Sequence, residues 1–280
     1  MALIGADALR DRACGALLGL AVGDALGTTL EFKPKDSYEP LSDVVGGGPF
    51  RLKPGEWTDD TSMALALGHS LLERGKLDER DLMERFCAWA EEGEYSHNGR
   101  CFDIGNTVRG ALTRFRRTGN PVAGSTDPQS AGNGSLMRLA PVSILYAFDT
   151  EGRADVARRQ SATTHGAAEA VAACAAYADL VAEAVNGRSK AEVLTPREGW
   201  SPESVARAVR METIGWDRRE VRGSGYVIHS REAALWAVGN SSGYRDAVLL
   251  AANLGEDADT TAAIAGQLAG ALWGYVRKVL

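Results

Sequence analysis

The sequence predicts an all-α fold, a single compact orthogonal helical domain over residues 1–280 with long functional loops. Ala- and Leu-rich stretches with helical spacing recur along the chain, whereas alternating β-branched runs, which would build a sheet, are almost absent. The 280 residues suffice for one large domain or two small ones, at roughly 100–200 residues per domain. A hydrophobic share of 45% and a charged share of 24% are ordinary for a globular protein and argue against disorder.

Helical periodicity places the helices at residues 6–27, 60–75, 78–92, 105–118, 134–148, 152–162, 166–186, 201–211, 230–238, 243–253 and 258–278. The segments between them that are richest in Gly and Pro are 34–57, 119–132 and 212–229. Loops this long in a compact domain are usually functional, so we expect the site to be built from them.

The first and last predicted helices carry glycines at every fourth position, at Gly15, Gly19, Gly23, Gly27 and at Gly266, Gly270, Gly274. Each glycine costs a helix about 1 kcal/mol relative to alanine, so a repeated glycine implies a repeated benefit. The period of four puts each set on one helix face. We therefore predict that the two helices pack closely and antiparallel, which would bring Glu31 beside Asp257 and Asp259.

Charge and cysteine content exclude several classes of protein. The net charge of −6 and the pI of about 5.4 argue against a general binder of phosphate backbones, so nucleic acid is not an expected partner. None of the four cysteines has the C-x-x-C spacing of a zinc knuckle or a thioredoxin motif, which favours reduced thiols and a cytoplasmic location. The apolar run 13–23 imitates a secretory signal, but acidic residues interrupt its flanks and it is too short to span a bilayer, so no membrane is expected.

Two motifs rich in oxygen ligands stand where helices are predicted to begin. They are Trp57-Thr-Asp-Asp-Thr-Ser62 and Gly255-Glu-Asp-Ala-Asp-Thr-Thr261. For either motif alone, helix capping is the leading interpretation, because Thr and Asp accept backbone N–H bonds at helix starts. The second motif is not an EF-hand loop, since Ala262 and Leu268 occupy the positions that require Gly and Glu.

The two motifs considered together favour a metal centre. If the fold joins them, four carboxylates converge, and like charges that close cannot all remain ionised without a cation between them. Oxygen ligands suit Mg²⁺, Mn²⁺ and Ca²⁺, and two such ions about 3.5–4 Å apart could hold a substrate oxygen between them. The sequence therefore predicts a binuclear metal site.

These motifs, with others in the same order, resemble the ADP-ribosylglycohydrolase family of the dinitrogenase-reductase-activating type. The matching segments run nearly end to end and comprise residues 15–27, 31–32, 57–62, 99–107, 131–138, 164–166, 223–227 and 257–260. The family's usual Gly-Gly-Asp-x-Asp-Thr reads here Gly255-Glu-Asp-Ala-Asp-Thr260. The resemblance implies an all-α domain with two divalent cations, Mg²⁺ or Mn²⁺, and a hydrolase that removes ADP-ribose from modified protein side chains.

By position, the resemblance implies that the metal ligands are Thr58, Asp59, Asp60, Asp257, Asp259 and Thr260, with Glu31 close by. It also implies that the distal ribose faces Asp103, Gly105 and Asn106, that the diphosphate is held by Asn133, Gly134, Ser135 and Met137, and that His165 and Tyr226 lie beside the substrate. Backbone N–H groups of a turn that opens a helix at Gly134 would suit a diphosphate. Asp24 is expected to have a structural role at the end of the first helix.

Cleavage of a glycosidic bond needs an acid for the leaving group and a base for water, and Glu31 and Asp103 are the candidate catalytic residues, with neither assigned to acid or base. The expected substrate is an ADP-ribosylated protein, most simply arginine-linked, with ADP-ribose as product. Serine-linked, nucleic-acid-linked and free ADP-ribose derivatives are alternatives, as is a module that binds ADP-ribose without turnover. A phosphoesterase on the same carboxylates is less favoured, because such dinuclear sites often include histidine.

Overall fold

The computed structural model describes residues 4–274, and among these the chain folds into α-helices without a β-strand. The helices are α1 (Ala6–Gly27), α2 (Asp59–Arg74), α3 (Glu79–Glu92), α4 (Asn106–Thr118), α5 (Ala140–Leu145), α6 (Thr150–Thr164), α7 (Ala168–Val185), α8 (Lys190–Val193), α9 (Glu203–Val209), α10 (Val227–Gly239), α11 (Tyr244–Ala252) and α12 (Ala258–Trp273). Short 3₁₀ turns lie at Thr28–Leu30, Pro128–Ser130 and Glu212–Gly215. The predicted all-α fold class is confirmed.

The helix predicted over 134–148 is wrong at its start. The carbonyl of Asn133 accepts the N–H groups of both Leu136 and Met137, at 2.7 and 3.1 Å, which makes turns instead of a helix. Helix α5 begins only at Ala140, where Pro141 occupies the first turn because its missing N–H costs nothing there. The loop around Gly134 therefore offers no helix N-terminus.

Two other differences lie further along the chain. The short helix α8 was not predicted, and it owes its start to a capping box between Ser189 and Glu192. The last helix, predicted over 258–278, ends at Trp273, and Gly274 follows with φ +85°. Residues 275–278 of that prediction lie outside the described residues.

Helices α1 and α12 form the centre of the fold and pack as the glycine spacing predicts. A Cβ atom built on Gly19 would lie 2.2 Å from the carbonyl oxygen of Gly266, and one built on Gly23 would lie 2.3 Å from that of Ala262. Numbers rise on one helix as they fall on the other, so the helices are antiparallel. The predicted close antiparallel pairing is confirmed, and it places the C-terminal end of α1 beside the N-terminal end of α12.

The surrounding helices bury this central pair. Helix α7 is Ala-rich and buried on most of its surface, as is typical of a helix without a strong polar face. The Tyr177 hydroxyl of α7 donates a hydrogen bond to the carbonyl of Ile264, and Tyr244 of α11 donates one to Gly19. Hydrogen bonds from neighbouring helices thus help to hold α1 against α12.

The N-terminal helix is longer than the apolar run at 13–23. By length and composition, residues 6–30 form a helix that is long and apolar enough to cross a membrane. The expectation that this segment is too short to span a bilayer, which considered only residues 13–23, is therefore wrong. In the folded chain, 67% of the most apolar window of this helix is buried, as a central core helix requires. The four cysteines are unpaired thiols, as predicted, and the cytoplasmic location stays a prediction.

Candidate active site

The antiparallel pairing of α1 with α12 brings carboxylates from both ends of the chain together at the start of α2. Carboxylate oxygens of Asp24, Asp60 and Asp259 lie within 4.8 Å of one another, and so do those of Glu31, Asp257 and Asp259. Asp259 belongs to both groups. Clusters of carboxylates this close to one another could bind a metal ion.

Helix α2 is capped by a residue from another part of the chain. Its N-cap residue, Thr58, makes no capping bond with its own side chain. Asp24 of α1 accepts the N–H groups of Thr58 and Thr61, at 2.9 and 3.0 Å, and both of their hydroxyls, at 2.8 and 2.6 Å. The structural role expected for Asp24 at the end of the first helix is confirmed. These bonds engage both of its oxygens, so we regard it as a support for Thr58 and not as a metal ligand.

Helix α12 is capped in the same way from a distance. Its N-cap residue, Asp257, makes no side-chain capping bond, and Glu31 instead accepts the N–H of Ala258 at 2.8 Å. The capping interpretation is therefore wrong for Thr58 and Asp257. Since distant carboxylates cap both helices, those of the two motifs are left available to a cation.

The protein itself does not balance the negative charges of this site. Burial, together with the charges of Asp24 and Asp59, raises the pKa of Asp60 well above its usual range. Burial and the charge of Glu31 do the same to the pKa of Asp259. One oxygen of Asp60, Oδ1, is buried and has no hydrogen-bond partner among the described residues. A buried acceptor without a donor is costly, and a cation would satisfy it.

Hydroxyls of the two motifs complete an all-oxygen donor set. The Oγ1 atoms of Thr58 and Thr260 each lie 3.4 Å from Oδ2 of Asp60. Asp59 is also buried, and burial and the charge of Asp103 raise its pKa well above the usual range. Carboxylate and hydroxyl oxygens are hard ligands that suit Mg²⁺ or Mn²⁺ better than soft metals. The residues present therefore fit a divalent cation.

A cavity of about 700 Å³ opens over these carboxylates. Asp103, Gly105 and Asn106, predicted to face the ribose, line it together with Glu31, Asp59, Asp257, Asp259 and Thr260. Burial and the charge of Asp257 raise the pKa of Glu31 to about 8 and that of Asp103 to about 7. Carboxylates with raised pKa values in a cavity are candidates for proton transfer.

Part of the predicted diphosphate loop lines the same cavity. Asn133, Gly134 and Met137 contribute to its wall, and the Asn133 amide donates a hydrogen bond to Asp257 at 2.8 Å. The side chain of Asn133 thus orients a carboxylate of the predicted metal site. His165 packs under this loop, where a Cβ atom on Gly134 would lie 2.9 Å from its Cε1. Burial and the charge of Arg138 lower the pKa of His165 to about 3, so this imidazole is neutral.

Two predicted substrate residues do not line this cavity. The Ser135 side chain is buried, with its hydroxyl 2.8 Å from that of Ser161. Tyr226 lines an adjoining cavity of about 560 Å³, and its hydroxyl donates to Glu169 at 2.7 Å. Backbone hydrogen bonds from the Asn133 N–H to the Gly225 carbonyl and from the Val227 N–H to the Ala131 carbonyl join the diphosphate loop to the segment that carries Tyr226. Tyr226 is therefore next to the main cavity and Ser135 lies behind it.

The structure adds cavity-lining residues that were not predicted as site residues, among them a phenylalanine and a glutamate. Phe32 and Glu256 line the main cavity beside Glu31 and Asp257. Both adopt positive φ angles, +62° and +60°. The only sequence signal for Glu256 was a charged residue where the resembled motif usually has glycine.

Proteins similar to this chain are known over nearly its whole length. The profile of the ADP-ribosylglycohydrolase family matches residues 5–277. The chain is 48% identical over 265 residues to an ADP-ribosylarginine hydrolase, Tri1, from Serratia proteamaculans, covering 95% of this chain and 72% of the relative. It is 50% identical to Tri1 from Pseudomonas putida, covering 94% and 71%. A solved structure, an ADP-ribosylglycohydrolase-related protein complex, is similar with a TM-score of 0.85 and 41% identity, covering 96% of this chain and 89% of that one.

Proposed function

This chain belongs to the ADP-ribosylglycohydrolase family, and from that membership we propose that it is a metal-dependent hydrolase that removes ADP-ribose from arginine side chains of modified proteins. The bond cleaved is the N-glycosidic bond at the distal ribose. Water adds to the anomeric carbon, and the guanidine nitrogen leaves with a proton. The products are ADP-ribose and the unmodified side chain.

One observation supports this proposal above the others. The carboxylates at the starts of α2 and α12 lie close together under a cavity of about 700 Å³, and Asp24 and Glu31 cap these two helices in their place. A module that only binds ADP-ribose has no need for such an array of buried negative charge. The array is destabilising by itself, so its presence argues for a catalytic metal centre.

We propose two divalent cations, Mg²⁺ or Mn²⁺, with the ligands Thr58, Asp59, Asp60, Asp257, Asp259 and Thr260 and with Glu31 close by. The chemistry that such cations supply is positive charge, which orients ribose hydroxyls and lowers the pKa of water. Asn133 holds Asp257 and Asp24 holds Thr58, and such supporting bonds position ligands in metal sites.

Residues of the chain carry the proton transfers in this proposal. One of Glu31 and Asp103, whose pKa values burial raises to about 8 and about 7, donates a proton to the leaving nitrogen, and the other, as an ionised carboxylate, accepts a proton from water. Neutral His165 and the Gly132–Gly134 loop form an uncharged wall of the cavity, against which the rest of ADP-ribose can lie.

The test is release of ADP-ribose from an arginine-ADP-ribosylated protein by the purified chain with Mg²⁺ or Mn²⁺, and again with a chelator. We expect release that depends on the metal and that Asp60→Ala or Asp259→Ala abolishes. The matched control is Asp155→Ala, which removes an exposed carboxylate paired with Arg159 on α6 and should leave the rate unchanged.

Three outcomes would contradict the proposal or part of it. Tight binding of ADP-ribose without release would identify a binding module. Release only from serine-linked or nucleic-acid-linked substrates would reassign the acceptor. Full activity in Asp60→Ala or Asp259→Ala would remove the proposed metal site.

A further inference from the structure

One wall of the cavity is built from two backbone segments in an uncommon conformation. Phe32 and Glu256 have φ angles of +62° and +60°, a region that costs a residue with a side chain more than glycine. Two backbone hydrogen bonds join these segments. The Phe32 N–H donates to the Glu256 carbonyl at 2.8 Å, and the Glu256 N–H donates to the Lys33 carbonyl at 2.7 Å. The position of Glu256 on this wall is therefore fixed by its backbone.

The carboxylate of Glu256 differs from the others that line the cavity. Glu31 accepts the N–H of Ala258, and Asp257 accepts the amide of Asn133. Within residues 4–274, the half-buried side chain of Glu256 has neither a hydrogen bond nor a salt bridge. The ammonium of Lys35, on the same loop as Phe32, donates to the backbone carbonyls of Arg218 and Val221 instead. Glu256 thus presents to the cavity a carboxylate that no side chain of the described residues pairs with, although the charge of the Lys35 ammonium acts on it from a distance.

Glu256 also stands apart from the proposed metal ligands. It belongs to neither of the two groups whose oxygens lie within 4.8 Å of one another. Of the residues that the structure describes, no lysine or arginine lines the cavity, so a cationic group that enters meets no positive side chain. A strained backbone that keeps a free carboxylate beside a reaction site suggests a function for that carboxylate.

We propose that Glu256 is a specificity-determining residue that binds the guanidinium of the arginine acceptor. This inference rests on the proposed function, in which the group leaving the ribose is arginine. A guanidinium presents a planar fork of N–H donors that matches a carboxylate. The ring of Phe32, which is 66% exposed on the same wall, offers a flat face against which the guanidinium can stack.

The test compares two ligands that differ only in the acceptor, ADP-ribosyl-arginine and ADP-ribose. In Glu256→Gln, we expect KM for ADP-ribosyl-arginine to rise about tenfold, because a half-exposed charge-assisted pair is lost, with a smaller change in kcat. ADP-ribose has no guanidinium, so its Kd, measured by calorimetry, should match that of the wild type. The control Glu84→Gln removes an exposed carboxylate on α3, outside the cavity, and should leave KM unchanged.

A second variant protects the test against misfolding. Glu256→Gly suits the positive φ and should fold at least as well as the wild type, with the same rise in KM. If the wild type releases ADP-ribose from arginine but both variants keep its KM, or lose affinity for ADP-ribose by the same factor, the role of Glu256 is refuted and the proposed function stands. If the wild type releases nothing from arginine, the proposed function fails and the inference fails with it.

Discussion

Substitution of Gly19 by alanine tests whether contact between the backbones of α1 and α12 holds the metal site together. The new Cβ atom would lie 2.2 Å from the carbonyl oxygen of Gly266, whereas such contacts essentially never fall below 3.0 Å. The two helices must therefore separate locally by about 0.8 Å. No flexible side chain can absorb this shift, because the closest atoms belong to the backbone of Gly266.

Two effects of opposite sign decide the change in stability. Alanine in place of glycine favours a helix by about 1 kcal/mol. Overpacking of a filled interior costs about 1–3 kcal/mol, and a contact between two backbones belongs near the upper end of that range. We expect a net loss of about 1–2 kcal/mol, which lowers Tm by about 2–4 °C per kcal/mol for a chain of this size.

The same shift should reach the site, although Gly19 does not touch it. Asp24 follows five residues later on α1, and Asp259 precedes Gly266 by seven residues on α12. Misplacement of reacting groups by about 1 Å can cost up to about a hundredfold in rate. The helices separate by about 0.8 Å at Gly19, several residues away from the site, so we expect a smaller effect, a fall in kcat/KM of about tenfold.

The assay pairs urea unfolding with release of ADP-ribose, and Gly68→Ala is the matched control. A Cβ atom on Gly68, in the interior of α2, would lie 3.5 Å from Pro141, which is an ordinary contact. That variant should be stabilised by up to about 1 kcal/mol and remain active. If Gly19→Ala is stabilised as much as Gly68→Ala, close backbone packing does not explain the glycine spacing.

Three further predictions concern carboxylates. Asp60→Asn should raise the Tm of chelator-treated protein, because it removes a buried charge beside Asp24. The same variant should abolish the increase in Tm on addition of Mn²⁺. Thermal unfolding with and without the ion measures both effects, and an unchanged Mn²⁺ response would exclude Asp60 as a ligand. Asp24→Asn should weaken Mn²⁺ binding about 10- to 100-fold in calorimetry, because Thr58 loses its support, and wild-type affinity would show that this support is unnecessary. At Asp81, burial by itself would raise the pKa, but hydrogen bonds from Arg85 and a second arginine outweigh it and lower the pKa to about 2. Because this folded-state pKa lies below that of the unfolded chain, the stabilisation is present above about pH 4 and is lost as the pH falls toward 2. Asp81→Asn should therefore cost about 1–2 kcal/mol in urea unfolding at pH 7 and a few tenths at pH 2, and an equal cost at both pH values would contradict the ionic origin.

Much of the fold could be predicted because its signals are local. Helix periodicity depends on neighbouring residues, so the long helices were found with small errors at their ends. The spacing of glycines on two helices predicted a contact between segments more than 200 residues apart, because backbones that approach this closely require glycine on at least one face and a small residue on the other. The turn after Asn133 was missed, since tertiary hydrogen bonds outweigh the apolar pattern there.

The sequence by itself determined the class of fold, the pairing of α1 with α12, and the two acidic motifs, because each depends on residue type and spacing along one helix. Only the tertiary structure decided how these acids are used. Asp24 and Glu31 cap helices α2 and α12 from a distance, Ser135 turns into the core, and the unpaired carboxylate of Glu256 faces the cavity. These roles depend on which donors lie nearby in space, and spacing along the chain carries no record of those neighbours.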